Sequence, residues 1–228
     1  MMKDNLDQIR ANIEKAAALA GVDPAGITMV AVSKTKPVSL MREAYDLGVR
    51  HFGENRVQEY LEKKDGMPAD VQWNIIGRLQ TNKIKYIINN IWMLHSLDRL
   101  NLARELQIYC DKSGCTVDAL LEVNTAAEDT KSGFFVHELE EAAREISQMD
   151  KIHVRGLMTV APYTEDKEYL RGVFAQTKQW YDKIAGLKLP GFDFKYLSMG
   201  MSNDYYEAIL EGSNMVRIGS ALFGDRGY

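Results

Sequence analysis

The stretch that decides the fold is residues 27–37, which read Ile27-Thr28-Met29-Val30-Ala31-Val32 and then Ser33-Lys34-Thr35-Lys36-Pro37. The first six residues form a short, nearly continuous apolar run, which is typical of a strand buried on both faces of a parallel sheet. The turn that follows contains two lysines and no glycine. An open, doubly wound sheet usually has a glycine-rich nucleotide turn at this point, so the turn favours a different parallel fold.

Strands of the same type alternate with helical stretches along the rest of the chain. Apolar residues at three- and four-residue spacing predict a first helix over residues 6–20, with Gly21 as its C-cap. About 202 residues then remain for eight strand–helix units of roughly 25 residues each, and eight such units close naturally into a barrel. We therefore predict an α/β fold with a single (β/α)8 TIM barrel domain over residues 1–228 and an extra N-terminal helix. A doubly wound open sheet is the alternative.

The predicted strands are residues 27–32, 49–53, 71–77, 91–95, 117–123, 152–160, 195–199 and 215–218. The helices predicted between them are residues 39–47, 57–64, 81–89, 98–112, 136–149, 167–185 and 204–210, with Ser39 as the cap of the first.

Composition and charge exclude several classes of function. The 228 residues are 46% hydrophobic and 26% charged, and 28 basic against 32 acidic residues give a net charge of −4. A mildly acidic chain has no global basic field for nucleic acid or anionic lipid. The sequence contains no apolar run near the roughly 18 residues of a membrane span, and its charged first residues predict no signal peptide. Cys110 and Cys115 do not make a disulfide framework, so we expect reduced thiols and a cytoplasmic protein.

Lys34 is a candidate for covalent chemistry. It directly follows an apolar strand, so its ammonium group should be partly desolvated, and desolvation lowers the pKa of a lysine. A neutral amine at the end of a barrel strand could form a Schiff base with an aldehyde. Position alone favours the simpler interpretation, a lysine that extends from the strand end into water. Lys36 lies on the same side of the chain but further into the loop.

The turns after the last two predicted strands contain small polar residues and glycines, namely Gly200, Ser202, Gly219 and Ser220. Exposed backbone N–H groups and serine hydroxyls at such turns can bind an anion, and barrels often bind phosphate here. Ordinary turn chemistry is the alternative explanation. Arg217 lies within the last strand, where burial is costly without partners, so it should have either an internal ion pair or a ligand. The four histidines are scattered and predict no metal site.

The strand-end motifs taken together resemble the YggS/PROSC family of pyridoxal phosphate homeostasis proteins. The resemblance runs from about residue 5 to Gly224, with motifs in order after nearly every strand. The matching motifs are Ala31-Val32-Ser33-Lys34-Thr35-Lys36-Pro37, Phe52-Gly53-Glu54-Asn55-Arg56-Val57-Gln58-Glu59, Ile76-Gly77-Arg78-Leu79-Gln80-Thr81-Asn82-Lys83, Lys131-Ser132-Gly133, Arg155-Gly156-Leu157-Met158, Leu197-Ser198-Met199-Gly200-Met201-Ser202 and Met215-Val216-Arg217-Ile218-Gly219.

The resemblance implies a barrel like the N-terminal domain of alanine racemase, with pyridoxal 5′-phosphate as cofactor. It departs from the family at Asn74, where members commonly have histidine, and at Arg56, where they have tyrosine; we expect both to affect only the detail of the pocket. The implied cofactor-binding residues are Lys34, which holds pyridoxal phosphate covalently as a Schiff base, Ser202, Gly219 and Ser220 at its phosphate, Arg217 at its pyridine nitrogen, and Asn55 along the pocket.

The resemblance also implies a non-catalytic role in pyridoxal phosphate homeostasis. An arginine at the pyridine nitrogen disfavours protonation of the ring, and an unprotonated ring is a poorer electron sink. We expect pyridoxal phosphate as the ligand, cofactor-dependent apoenzymes as possible recipients, and a monomer without nucleic-acid or membrane partners. A small amino-acid racemase is the alternative, and an aldolase with Lys34 as its Schiff-base lysine is a weaker one. Arg78, Lys83 and Lys131 receive no role.

Overall fold

The computed structural model describes residues 1–126, 128 and 131–224. The strands within them are β1 Thr28–Val32, β2 His51–Glu54, β3 Gln72–Ile75, β4 Met93–Leu97, β5 Val117–Asn124, β6 Phe134–Phe135, β7 Ile152–Met158, β8 Phe192–Met201 and β9 Met215–Ile218. The helices are α1 Met2–Ala20, α2 Val38–Asp46, α3 Val57–Lys63, α4 Ile84–Ile87, α5 Leu100–Ser113, α6 Leu139–Ile146, α7 Lys167–Gly186, α8 Tyr205–Leu210 and α9 Ser220–Phe223.

Eight of these strands form a closed parallel barrel. Their order is β4-β3-β2-β1-β9-β8-β7-β5, and a further pairing of β4 with β5 closes the ring. The two-residue strand β6 pairs with the end of β5 outside that ring. The first and last barrel strands are neighbours, with Val30 opposite Arg217. The predicted TIM barrel is therefore confirmed, and the open-sheet alternative is wrong.

The apolar run that predicted β1 supplies side chains to both layers of the core. Val30 packs inside the barrel with Met93, Leu120, Met158 and Met215, each from a different strand. Ala31 belongs to the larger cluster between the strands and the surrounding helices. A strand buried on both sides has little room for polar side chains, and this explains why the run is nearly continuous.

Helix α1 packs on the outside of the barrel against α8 and α9. Its buried face includes Leu6, Ile9 and Ile13, which are each less than 9% exposed. Gly21 ends the helix in the left-handed conformation with φ 70°, as the sequence predicted. Within the described ranges, no helix is both long and apolar enough to cross a bilayer.

The structure corrects several local predictions. Helix α2 begins at Val38 after Pro37, and Ser39 lies inside its first turn instead of capping it. Proline fits this boundary because its fixed φ, here −71°, suits the residue at a helix start. The helix predicted over residues 81–89 divides into a 3-10 turn, Thr81–Lys83, and the short α4. The elements β6 and α9 were not predicted.

Candidate functional site

A cavity opens at the carboxyl ends of β1, β9, β8 and β7, four consecutive strands of the ring. Its volume is about 540 Å³. Its lining includes five of the six residues predicted for cofactor binding, Lys34, Ser202, Arg217, Gly219 and Ser220. Asn55 follows β2, the next strand beyond β1, and is not among the lining residues.

A second cavity of about the same volume lies at the opposite end of the barrel, near the amino ends of β1 and β2. Its lining includes Arg10, Glu14, Arg50 and His51. None of the predicted site residues reaches it. Working residues of such barrels lie at the carboxyl ends of the strands, so the first cavity is the candidate site.

The turn that carries Lys34 is anchored on both sides of the lysine. The Ser33 carbonyl accepts a hydrogen bond from Lys63 Nζ at 2.9 Å. On the other side, the Thr35 amide donates to Glu59 Oε2 at 2.6 Å. Thr35 has φ 62°, a left-handed conformation that is unfavourable for a β-branched residue. The bond to Glu59 therefore helps to hold the half-buried Lys34 in place at the rim of the cavity.

Glu54 lies behind this turn and is fully buried. Its Oε1 accepts from Ser33 Oγ at 2.7 Å and from Lys63 Nζ at 2.9 Å. Its Oε2 has no hydrogen-bond partner among the described residues. Burial raises the pKa of Glu54, and the hydrogen bonds from Lys63 and Ser33 oppose that rise. Lys63 thus compensates a buried carboxyl while it holds the backbone beside Lys34.

The anion-binding turn predicted across the cavity has a defined geometry. Ser202 Oγ accepts from the backbone amides of Gly219 at 3.1 Å and Ala221 at 3.2 Å; we call these two amides, with that of Ser220 between them, the amide cluster. The Ser220 amide begins α9 and has no partner inside that helix. Because the Ser202 hydroxyl accepts two bonds, its own hydrogen is available to donate to an acceptor in the cavity.

Gly219 lies beside the amide cluster, and no neighbouring side chain among the described residues occupies the space where its Cβ would be. A Cβ added there would approach Val32 no closer than 3.5 Å, an ordinary van der Waals contact. Its backbone angles, φ −112° and ψ −87°, lie outside the left-handed region and also outside the α and β regions that other residues prefer, so the backbone here favours glycine as well. The absence of a side chain at Gly219 therefore fits close approach of a ligand to the backbone.

Arg217 is 4% exposed and reaches the cavity from inside the barrel. It donates from Nη1 to the Ser198 carbonyl at 2.9 Å and to Ser198 Oγ at 2.7 Å, and from Nη2 to the Thr159 carbonyl at 2.7 Å. The sequence left two alternatives for Arg217, an internal ion pair or a ligand. Arg217 forms no ion pair with the described residues. Burial lowers the pKa of Arg217 to about 10, while Asp204 and Glu122 oppose that effect, so the guanidinium stays charged at neutral pH.

The charge around the cavity favours an anion. Three cationic side chains, Lys34, Lys36 and Arg217, line it together with the carboxyl of Asp204. Burial raises the pKa of Asp204, while the hydrogen bond from the Met201 amide and the charge of Arg217 oppose that rise. Lys36 Nζ donates to the Gly224 carbonyl at 3.0 Å, so this second lysine is tied to the segment that follows α9.

Polar residues inside the barrel continue from Arg217. From the sequence, Ser198 and His95 received no site role, and Asn74 was named only as a departure from the family. Ser198 Oγ lies 3.3 Å from His95 Nδ1, and His95 Nε2 lies 3.0 Å from Asn74 Oδ1. Asn74 is thus linked to Arg217, although it was expected to affect only pocket detail. A polar side chain within a largely apolar strand, such as His95 in β4, was the signal in the sequence that could have indicated this network. No cluster of three or more potential metal ligands occurs in the part of the chain that the structure describes.

This fold and this strand-end site define a barrel of the alanine racemase type. The sequence model described as "Alanine racemase, N-terminal domain" matches residues 5–227.

Full-length relatives narrow this class. The "Pyridoxal phosphate homeostasis protein" of Aquifex aeolicus (strain VF5) is 40% identical over 229 residues, covering 99% of this chain and 98% of that protein. The protein of the same name from Escherichia coli (strain K12) is 39% identical, covering 98% and 96%. The solved structure of PipY from Synechococcus elongatus PCC7942 with PLP bound has a TM-score of 0.84 and 30% identity, covering 98% of this chain and 100% of that chain. The chain belongs to the pyridoxal phosphate homeostasis protein family, as its motifs predicted.

Proposed function

We propose that this protein binds pyridoxal 5′-phosphate in the cavity, as a Schiff base on Lys34, and holds and releases it in the cell's pyridoxal phosphate homeostasis. One observation carries the proposal: Lys34 and the amide cluster follow two hydrogen-bonded neighbouring strands, β1 and β9, and Lys34, Gly219 and Ser220 line the same cavity. The names of the relatives and the PLP-bound PipY structure support the choice of ligand.

The chemistry of the donors matches the three functional parts of this cofactor. An amine at Lys34 suits an aldehyde, which it can bind reversibly. The Ser220 amide and the Ser202 hydroxyl suit the phosphate, since a backbone N–H group at a turn before a helix favours anions. The Gly219 and Ala221 amides hold that hydroxyl in place. Arg217 is assigned to the pyridine nitrogen. Asn55 remains a predicted pocket residue at the edge nearest β2, although it does not line the cavity.

A role without turnover follows from what Arg217 does at that position. When bound, pyridoxal phosphate supplies an electron sink for carbanion chemistry, and this capacity depends on protonation of its ring nitrogen. A charged guanidinium cannot accept a proton, so it provides no partner for a protonated ring nitrogen. The residue therefore favours storage of the cofactor over catalysis. We further propose a cytoplasmic monomer that passes cofactor to apoenzymes.

Borohydride reduction followed by peptide mass spectrometry tests the covalent link. With saturating pyridoxal phosphate, we expect a phosphopyridoxyl adduct on Lys34, its loss in Lys34→Ala, and its retention in the matched variant Lys36→Ala. An adduct on another lysine, or none on the wild type, would overturn the proposal.

A racemase is the second candidate, and the family-model match over residues 5–227 is the observation that favours it. Purified protein loaded with cofactor should leave L-alanine unchanged if the homeostasis role is correct. Interconversion of the enantiomers that disappears in Lys34→Ala would establish the racemase instead.

A further inference from the structure

Four polar side chains form a continuous line through the interior of the barrel. They are Asn74 on β3, His95 on β4, Ser198 on β8 and Arg217 on β9. The first three are 0% exposed and Arg217 is 4% exposed. Buried polar groups without partners are costly, so each of these residues needs the next one.

The hydrogen-bond chemistry allows only one direction along this line. Asn74 Nδ2 donates to the carbonyls of Phe52 at 3.2 Å and Gln72 at 2.9 Å, so its Oδ1 is left to accept. His95 Nε2 must therefore carry a hydrogen and donate to Asn74 Oδ1. A flipped amide would turn Oδ1 toward two carbonyl oxygens, which would repel it.

The direction continues to the guanidinium. With a hydrogen on Nε2, a neutral His95 accepts at Nδ1, and Ser198 Oγ–H is the donor there. Ser198 Oγ in turn accepts from Arg217 Nη1. A second proton on His95 would remove that acceptor and place two cations on either side of one hydroxyl.

The surroundings keep His95 neutral. Burial lowers its pKa well below the usual value, and the positive charge of Arg217 and the nearby His51 act in the same direction. The neutral ring of His95 therefore always accepts from Ser198, and the line of hydrogen bonds from Arg217 to Asn74 keeps the same direction across the ordinary pH range.

We propose that Asn74, His95 and Ser198 are positioning residues that fix the Arg217 guanidinium for its contact with the cofactor ring. This inference rests on the proposed function. Among the described residues, the bonds of Arg217 occupy three of its five N–H hydrogens, both of those on Nη1 and one on Nη2. The remaining donors, on Nε and Nη2, thereby face a constant direction.

The hydrogen-bond direction can be tested without cofactor. Nitrogen-15 NMR of the apoprotein should show His95 with a hydrogen on Nε2, a bare Nδ1, and no titration between about pH 5.5 and about pH 8.5. A hydrogen on Nδ1, or a titration near the ordinary pKa of about 6.5, would overturn the proposal whatever the protein binds.

The effect on the ligand is tested with Ser198→Ala in the protein loaded with pyridoxal phosphate. We expect about tenfold faster cofactor release and a shifted pH dependence of the bound cofactor's absorbance, because a hydrogen bond to a charged group is lost. Ser198→Thr, which keeps the hydroxyl, should restore both. Ser96→Ala is the matched control. Ser96 is equally buried, but it donates to the Gly77 carbonyl and takes no part in the line of hydrogen bonds that ends at Arg217.

The outcomes separate this inference from the function on which it rests. A wild type that binds cofactor, with Ser198→Ala unchanged in release and absorbance, would refute the positioning role and leave the proposed function standing. The same holds if Ser96→Ala changes both as much as Ser198→Ala does. A wild type that binds no cofactor would refute the positioning role together with the proposed function.

Discussion

Lys63→Met removes the cation that compensates Glu54 behind the Lys34 turn. Lys63 makes bonds of 2.9 Å to Glu54, 3.0 Å to Glu59 and 2.9 Å to the Ser33 carbonyl. Methionine keeps most of the side chain's volume and none of its donors. Glu54, which is fully buried, would keep only the hydrogen bond from Ser33 Oγ.

We expect Lys63→Met to lower the free energy of unfolding by about 3–5 kcal/mol at neutral pH, the typical cost of leaving one buried partner without its counter-charge. The loss should depend on pH. Burial already raises the folded-state pKa of Glu54 above its unfolded value of 4.5, and removal of Lys63 raises it further. A raised carboxyl pKa favours the folded state in acid and ceases to do so as pH rises through the folded-state pKa. The variant should therefore lose most at alkaline pH.

Urea unfolding at about pH 4.5 and about pH 8 measures both the loss of unfolding free energy and its dependence on pH. Lys64→Met is the control, because Lys64 pairs with the exposed Asp65 and an exposed pair contributes at most ~1 kcal/mol. Adding Glu54→Gln to Lys63→Met should recover much of the loss at alkaline pH. A loss below about 1 kcal/mol, or an equal loss at both pH values, would refute the reasoning.

Three other substitutions test separate parts of the structure. Gly219→Ala should lower the free energy of unfolding by about 1–3 kcal/mol, because the backbone angles at this position disfavour a side chain. In the folded variant we expect pyridoxal phosphate binding to weaken at least about tenfold, measured by equilibrium titration; unchanged binding contradicts the phosphate assignment. Glu122 is 8% exposed, and burial, together with the nearby charge of Asp98, raises its pKa to about 7. Above pH 7, Glu122→Gln should therefore be more stable than the wild type by up to roughly 3 kcal/mol. The variant should also lack the stability that the wild type gains on acidification from about pH 7 to about pH 4.5. Urea unfolding across that range decides it. Gly156→Ala would place a Cβ 1.8 Å from the Tyr196 carbonyl oxygen at φ 148°, so we expect a loss of about 3 kcal/mol or more by thermal unfolding; a near-neutral result would contradict this backbone geometry.

The sequence predicts the barrel because short strand-like segments alternate with helical stretches at a regular spacing of roughly 25 residues, and the first of these strands is a nearly continuous apolar run. Long amphipathic helices such as α7, Lys167–Gly186, were likewise predictable from their periodicity. The two-residue β6 and the four-residue α9 were not, since neither is long enough to establish a period and neither belongs to the regular alternation of barrel strands and helices. Boundaries moved where a local feature decided them, as Pro37 did for α2.

The residues around the cavity were predictable because the carboxyl ends of barrel strands converge. Lys34 lies two residues after β1, Ser202 directly follows β8, and Arg217 was conspicuous as a cation inside an apolar strand. The partners of these residues were harder to predict. Whether His95 meets Ser198 depends on which strand side chains turn inward at the same level of the ring, and the spacing along one strand does not reveal this.

The pairing of β1 with β9 has a consequence for synthesis of the protein. Lys34, the proposed Schiff-base lysine, emerges early from the ribosome, whereas the turn proposed to hold the phosphate follows the final barrel strand. A nascent chain therefore contains the lysine before the rest of the proposed cofactor-binding site has been made. Under the proposed function, the protein captures its cofactor only after the last strand has been inserted. The bound cofactor would then link the first and last strands of the ring, so that saturation with pyridoxal phosphate stabilises the newly made barrel against opening.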